Sequence, residues 1–209
     1  MNRSGWSRVG VAYQARAIFV ACLLLAVGRV AHAGEGAVLE DFAMSPDGKV
    51  VAFQFANRNG RGIGLYEWRT GKLTRIPNPP GIELGVPSFD YDGRRLAVVH
   101  EKSHHTGVSD IAVVDLATLS VTPVTHVDYS KFEGKTEQVF QPGTNNILYV
   151  AGGIGIPDHL VLVNISTGTE KVILDAKQGG DALWRPSFVG PDEIYFSAIS
   201  PRDPAVKKA

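Results

Sequence analysis

From residue 38 onward the apolar positions come in short strand-like runs rich in Val, Ile, Leu and Phe, broken by Gly, Pro, Asp and Asn. The runs repeat. An apolar residue, a turn and a second apolar strand recur in Met44-Ser45-Pro46-Asp47-Gly48-Lys49 followed by Val50 to Phe53, and in Phe89-Asp90-Tyr91-Asp92-Gly93-Arg94 followed by Arg95 to Val98. The third copy is Phe140-Gln141-Pro142-Gly143-Thr144-Asn145-Asn146, running into Ile147 to Tyr149, and a shorter fourth is Phe188-Val189-Gly190-Pro191-Asp192-Glu193, running into Ile194 to Phe196. A second landmark follows each of the first three: Ile63 to Gly71, Ile111 to Leu119 and Leu160 to Gly168, at offsets of 48 and 49. A period of 45 to 51 residues is the mark of a repeat architecture.

Turn chemistry accounts for the spacing. Asp-Gly offers a residue tolerant of positive φ and one free to adopt it, and Pro46 fixes φ ahead of the turn. The acidic or amide residue at Glu67, Asp115 or Asn164, with Thr70-Gly71 or its equivalents, sets a second hairpin at a fixed distance. Each repeat therefore predicts four antiparallel strands, which is a β-propeller blade. An irregular β-sandwich would leave the in-phase recurrence of both landmarks unexplained. The expected fold is all-β, with blades at about 38–77, 84–125, 136–174 and 184–197, the last incomplete, within a unit spanning 34–209.

The stretch Ser45-Pro46-Asp47-Gly48-Lys49 with Ala52-Phe53 resembles the WD-like repeat of TolB-like propellers, also found in the propellers of prolyl-oligopeptidase-type enzymes. The second copy keeps Asp92-Gly93, the third Pro142-Gly143 and the fourth Pro191-Asp192. The resemblance covers about 38–197 and implies a binding scaffold of the cell envelope that holds another protein or peptide, with no cofactor. It also implies six or more blades, so the run reads as part of a propeller whose open edges would self-associate. A four-blade ring closed by residues 34–41 is the alternative. The rival function is a propeller that once gated a prolyl-oligopeptidase-like serine hydrolase.

Residues 1–33 read as an export signal. Arg3, Arg8 and Arg16 precede an apolar run from Ala17 to Val27, too short to span a bilayer, and Ala31-His32-Ala33 offers a cleavage site after Ala33. Four of the 21 basic residues lie in this leader, so the remainder carries 17 basic against 21 acidic groups. That balance speaks against nucleic acid and anionic membranes as partners, and the leader predicts a periplasmic or secreted product without a membrane span. The sole cysteine, Cys22, also falls in the leader, so no disulfide or thiolate metal site is expected beyond it.

Candidate chemistry is sparse. His100-Glu101-Lys102-Ser103-His104 fits H-E-x-x-H, with Asp110 as a third ligand and Glu101 as base of a zinc protease. That chemistry requires a helix, whereas the repeat phase predicts a strand at His100. Asp90-Tyr91-Asp92-Gly93 offers too few oxygens for calcium. Gly152-Gly153-Ile154-Gly155 reads as a blade loop. No G-x-S-x-G elbow follows the leader. Trp68, Trp184, Phe89, Phe140 and Phe188 are expected to pack between blades.

Overall fold

The computed structural model describes residues 38–102, 107–127, 133–153, 156–176 and 182–199. The leader, His104 and the segment Ile154-Gly155 lie outside the described residues. Among those described, every element is a strand. Blade 1 is the antiparallel sheet β1 (Val38–Met44), β2 (Val50–Asn57), β3 (Gly60–Glu67), β4 (Lys72–Arg75). Blade 2 holds β5 (Ile82–Phe89), β6 (Arg95–Lys102), β7 (Ser109–Asp115) and β8 (Val121–Pro123). Blade 3 holds β9 (Glu133–Phe140), β10 (Asn146–Gly153), β11 (Ile156–Asn164) and β12 (Glu170–Asp175). The hairpin β13 (Ala182–Phe188) and β14 (Ile194–Ile199) begins a fourth. The described residues thus form three propeller blades and part of another. One parallel bridge, Ser109 to Gly134, joins blades 2 and 3 into a continuous sheet.

Alternation along each strand divides the core between blade interfaces. In β2, Ala52 faces blade 2 and joins Ile63, Leu65, Leu84, Leu96, Val98 and Val114, while Phe53 faces the other way. Ala97, Ile111, Ile147, Tyr149 and Val161 fill the next interface, and Leu148, Leu160 and Leu183 the one after. Fully burying one such side chain is worth about 1.5–3 kcal/mol, so each interface outweighs any polar contact described below. The outward face of blade 1 covers itself. Phe53 lies over Gly64, its cross-strand partner, so closely that a Cβ at Gly64 would overlap the ring, and Phe55 lies across Gly62, where a Cβ would come within 2.8 Å of its Cζ. Arg75 covers Phe55 and Arg69 covers Trp68, each at 5.1 Å from the ring centre.

The innermost strands β1, β5, β9 and β13 each carry a bulge at the same place, four residues before the turn. The bulged residues are Asp41, Val86, Glu137 and Arg185, all left-handed, with φ of 42°, 46°, 55° and 48°. Strain is greatest at Val86, which is β-branched and precedes Pro87. Neighbouring blades hold it from both sides. Gln54 of blade 1 accepts the Val86 amide at 3.0 Å through its Oε1 and donates to Glu40 at 2.7 Å, while Gln138 of blade 3 donates to the Val86 carbonyl. A conformation of this cost persists where its surroundings over-determine it.

Candidate functional site

The four inner strands end at equivalent residues, Met44, Phe89, Phe140 and Phe188, and these surround a cavity of about 400 Å3 at the axis of the blades. Ser88 and Ser187 add hydroxyls to its wall, and Pro46, Asp90 and Tyr91 stand on its rim. Phe140 is buried in the interface between blades 2 and 3, so the aromatic residues both pack between blades and line the opening. Tyr91 is 53% exposed. Trp68, also expected between blades, packs instead on the outward face of blade 1 against the Phe53 and Tyr66 cluster, its Nε1 donating to the Gly48 carbonyl at 2.6 Å. Trp184, expected between blades, is 48% exposed.

The repeated turns that follow these strands close in three ways, and the first two of the turns supply the rim residues. In the first, the Gly48 amide donates to the Ser45 carbonyl at 2.8 Å, with Pro46 at the second place and Gly48 at the fourth with φ 69°; Gly93 repeats this on Asp90 at 3.1 Å with φ 68°. The third turn places Pro142 second and Gly143 third with φ 67°, as a type II turn requires. The fourth, through Pro191 and Asp192, closes from the Val189 amide to the Glu193 carbonyl at 3.0 Å, one residue shorter than the others. Ser45 Oγ donates to Asp47 at 2.8 Å and accepts the Val50 amide at 2.9 Å. Hydrogen bonds from the Lys49 side chain and from Ser45 hold the Asp47 carboxyl down to about 2.

Asp90 does the same work as Ser45 with more charge. It is buried, its Oδ1 accepts the Arg94 and Arg95 amides at 2.8 and 3.1 Å, and its Oδ2 pairs with Arg95 Nε at 2.9 Å. Arg95 then reaches Asn145 of blade 3 at 2.8 Å and covers Phe140 at 5.2 Å. The Asp90-to-Gly93 segment is accordingly a turn whose first carboxylate is already occupied.

His100 and Glu101 lie in β6, where successive side chains point to opposite faces of the sheet. Glu101 is buried; it pairs with Arg61, which also holds Glu83 at 2.9 Å, and its Oε1 accepts the Gly107 amide at 3.1 Å. His100 lies opposite Asp110 across β6 and β7. Burial lowers the imidazole pKa, against the pull of the Asp110 charge, with His126 adding a small push in the same direction as burial. Asp110 is engaged elsewhere: Thr125 Oγ1 donates to it at 2.9 Å and Lys135 Nζ lies 3.8 Å away. Lys135, itself buried, reaches Glu170 at 3.1 Å and sits 5.7 Å from the centre of the Tyr149 ring. Burial, reinforced by Glu170, pushes the Tyr149 phenol far above its ordinary range. This polar cluster ties β7, β9, β10 and β12 together across the blade interface. Gly152 and Gly153 end β10, and a Cβ at Gly152 would overlap the Asp158 carboxylate.

Gln54, Gln138 and Lys135 are the residues that sequence reasoning passed over. Gln54 and Gln138 lie where alternation from Ala52 and Phe140 predicts an inward-facing residue, whereas Lys135, three residues before Gln138, shares that face only because the bulge at Glu137 shifts the phase.

No protein-family model matches the chain. Over 81 residues it is 32% identical to the Tol-Pal system protein TolB of Francisella tularensis subsp. holarctica, a stretch covering 39% of this chain and 18% of that protein. The chain thus matches under a fifth of the length of that curated relative. Among solved structures, it superposes on an oligogalacturonate lyase of Vibrio parahaemolyticus with a TM-score of 0.60, at 17% identity, over 80% of this chain and 49% of that one. A protein of Agrobacterium tumefaciens assigned as TolB superposes with a TM-score of 0.57, at 19% identity, over 78% and 58%. Identities this low speak for the fold alone. No helix among the described residues is long and apolar enough to cross a membrane. Blade order, in-phase turns and these similarities together make the described part of the chain a run of β-propeller blades, similar to those of TolB-like proteins.

Proposed function

We propose that this chain is a non-catalytic binding scaffold of the bacterial cell envelope, exported by residues 1–33, that holds another protein or a peptide at the axial mouth. The observation that carries the reading is the cavity itself: one apolar side chain from the same position of each inner strand, with turn residues around the rim. A preformed apolar cavity with a few polar groups at its edge suits burial of a partner's side chains and orientation by its backbone. The stretch of similarity to a Tol-Pal protein supports an envelope setting. Glu101 supports the non-catalytic half, since both its oxygens serve the fold.

A photo-crosslinking residue placed at Tyr91 in cells of the source bacterium tests this. The expected result is a crosslink to one envelope protein or peptide, lost when Phe188→Ser opens the cavity wall, from a protein whose residues 1–33 are absent. A cytoplasmic chain that keeps its leader, or one that crosslinks to nothing, refutes it.

A further inference from the structure

Beside the axial mouth, and separated from it by the first two turns, lies a second depression of about 430 Å3 between blades 1 and 2. The turns serve both: Pro46, Asp90 and Tyr91 face the axis, whereas Ser45, Asp47, Asp92 and Gly93 face this groove. Its floor is the exposed edge of the blade 1–2 core, formed by Val50, Leu65, Leu116 and Leu119. Its rim is acidic. Asp47, Glu67 and Asp92 contribute three carboxylates, against the ammonium of Lys72 in the lining and of Lys49 beside Asp47, so the excess is the one carboxylate of Asp92. Lys72 is committed to Glu67 at 3.2 Å and Asp47 is paired with Lys49 at 2.8 Å, while Asp92 has no ion pair among the described residues.

The geometry points to a peptide-binding groove at this place, which takes an extended segment of a partner carrying a lysine or arginine next to apolar side chains. The apolar floor supplies burial, and the unmatched carboxylate supplies orientation and charge complementarity. At about 430 Å3 the depression falls within the size range of ligand-binding clefts. An acidic segment would meet like charge at the rim, and a purely apolar one would leave Asp92 facing it without a partner. The groove shares Phe89 and the first two turns with the axial mouth, but Phe188 lines the mouth and not the groove, so the inference can be tested independently of the function proposed for the mouth.

Fluorescence anisotropy with the full chain and a labelled peptide, Ala-Lys-Val-Leu-Lys-Ala, against its counterpart with glutamate for both lysines, tests the inference. The lysine peptide is expected to bind saturably, to weaken with added salt, and to outbind the glutamate peptide at least about tenfold. Asp92→Lys, an exposed turn substitution, should weaken the lysine peptide about fivefold or more, and Asp92→Asn by a smaller factor. Phe188→Ser should leave binding unchanged. Equal binding of the two peptides, binding of neither, or an undiminished lysine peptide on Asp92→Lys overturns the inference. A loss confined to Phe188→Ser also overturns it, and would place peptide binding at the axial mouth instead.

Discussion

Substituting Gln54 by leucine leaves an apolar side chain one bond shorter and removes both its hydrogen-bonding ends. Its amide nitrogen loses Glu40, an exposed carboxylate for which about 1 kcal/mol is appropriate, and its oxygen abandons the Val86 amide. That amide sits between blades, and a buried donor without a partner costs about 1–3 kcal/mol. Leucine regains part of this through apolar burial, leaving a net loss of about 2 kcal/mol. For a domain of this size the melting temperature should fall by about 4–8 °C. Gly85→Ala attacks the same contact from the other side, because its Cβ would overlap Gln54 Oε1. The urea-unfolding free energies of the two single variants and the double variant form a thermodynamic cycle. If both substitutions act by breaking one clasp, the double variant loses less than the sum of the singles, by at least about 1 kcal/mol. A Gln54→Leu chain within about 0.5 kcal/mol of the parent, or strict additivity in the cycle, would show that the left-handed Val86 is not held by its neighbours.

Three further outcomes are expected. Glu101→Gln should cost about 1–2 kcal/mol in urea unfolding, because Arg61 keeps only Glu83, while peptide hydrolysis stays at background with or without chelator; chelator-sensitive hydrolysis abolished by this substitution would restore the zinc reading. His100 has its pKa lowered by burial, so the unfolded chain takes up its proton first: stability should be full above 6.5 and decline as pH falls from there to the folded value. The slope of urea midpoint against pH should shrink in His100→Gln, and an unchanged slope would assign it to other groups. Gly48→Ala meets no atom within 4 Å yet must adopt φ 69°, so it should cost about 1–2 kcal/mol by backbone strain alone, measurable by thermal melting.

The period and the turns were legible because they rest on residue types with few substitutes: a glycine for a left-handed place, a proline for a fixed φ. Strand order and the division of apolar residues between interfaces followed from alternation. The bulges were not legible, since Asp41, Val86, Glu137 and Arg185 share no chemistry, and each owes its φ to the pairing of a whole strand rather than to its own preference. Leu119 shows the same limit, adopting φ 59° where the matching hairpins use Gly71 and Gly168. The strand at His100 was predicted from phase, but the engagement of Glu101 by Arg61 required knowing which residues meet across blades 1 and 2. The acidic groove escaped for a related reason: Asp47 and Asp92 come from turns one repeat apart and meet only once the blades stack.

The ring of Phe53 spread over Gly64 carries a consequence for how such a chain drifts. A side chain gained at 64 collides with the ring, and a ring lost at 53 bares the glycine backbone, so neither position is free to change alone. The corresponding rungs hold other solutions: Val98 opposite Ala112 in blade 2, and Tyr149 opposite Val161 in blade 3. Blades descended from one ancestor would therefore diverge two residues at a time across a rung. Their sequences can lose all likeness at these places while the spacing between sheets is preserved.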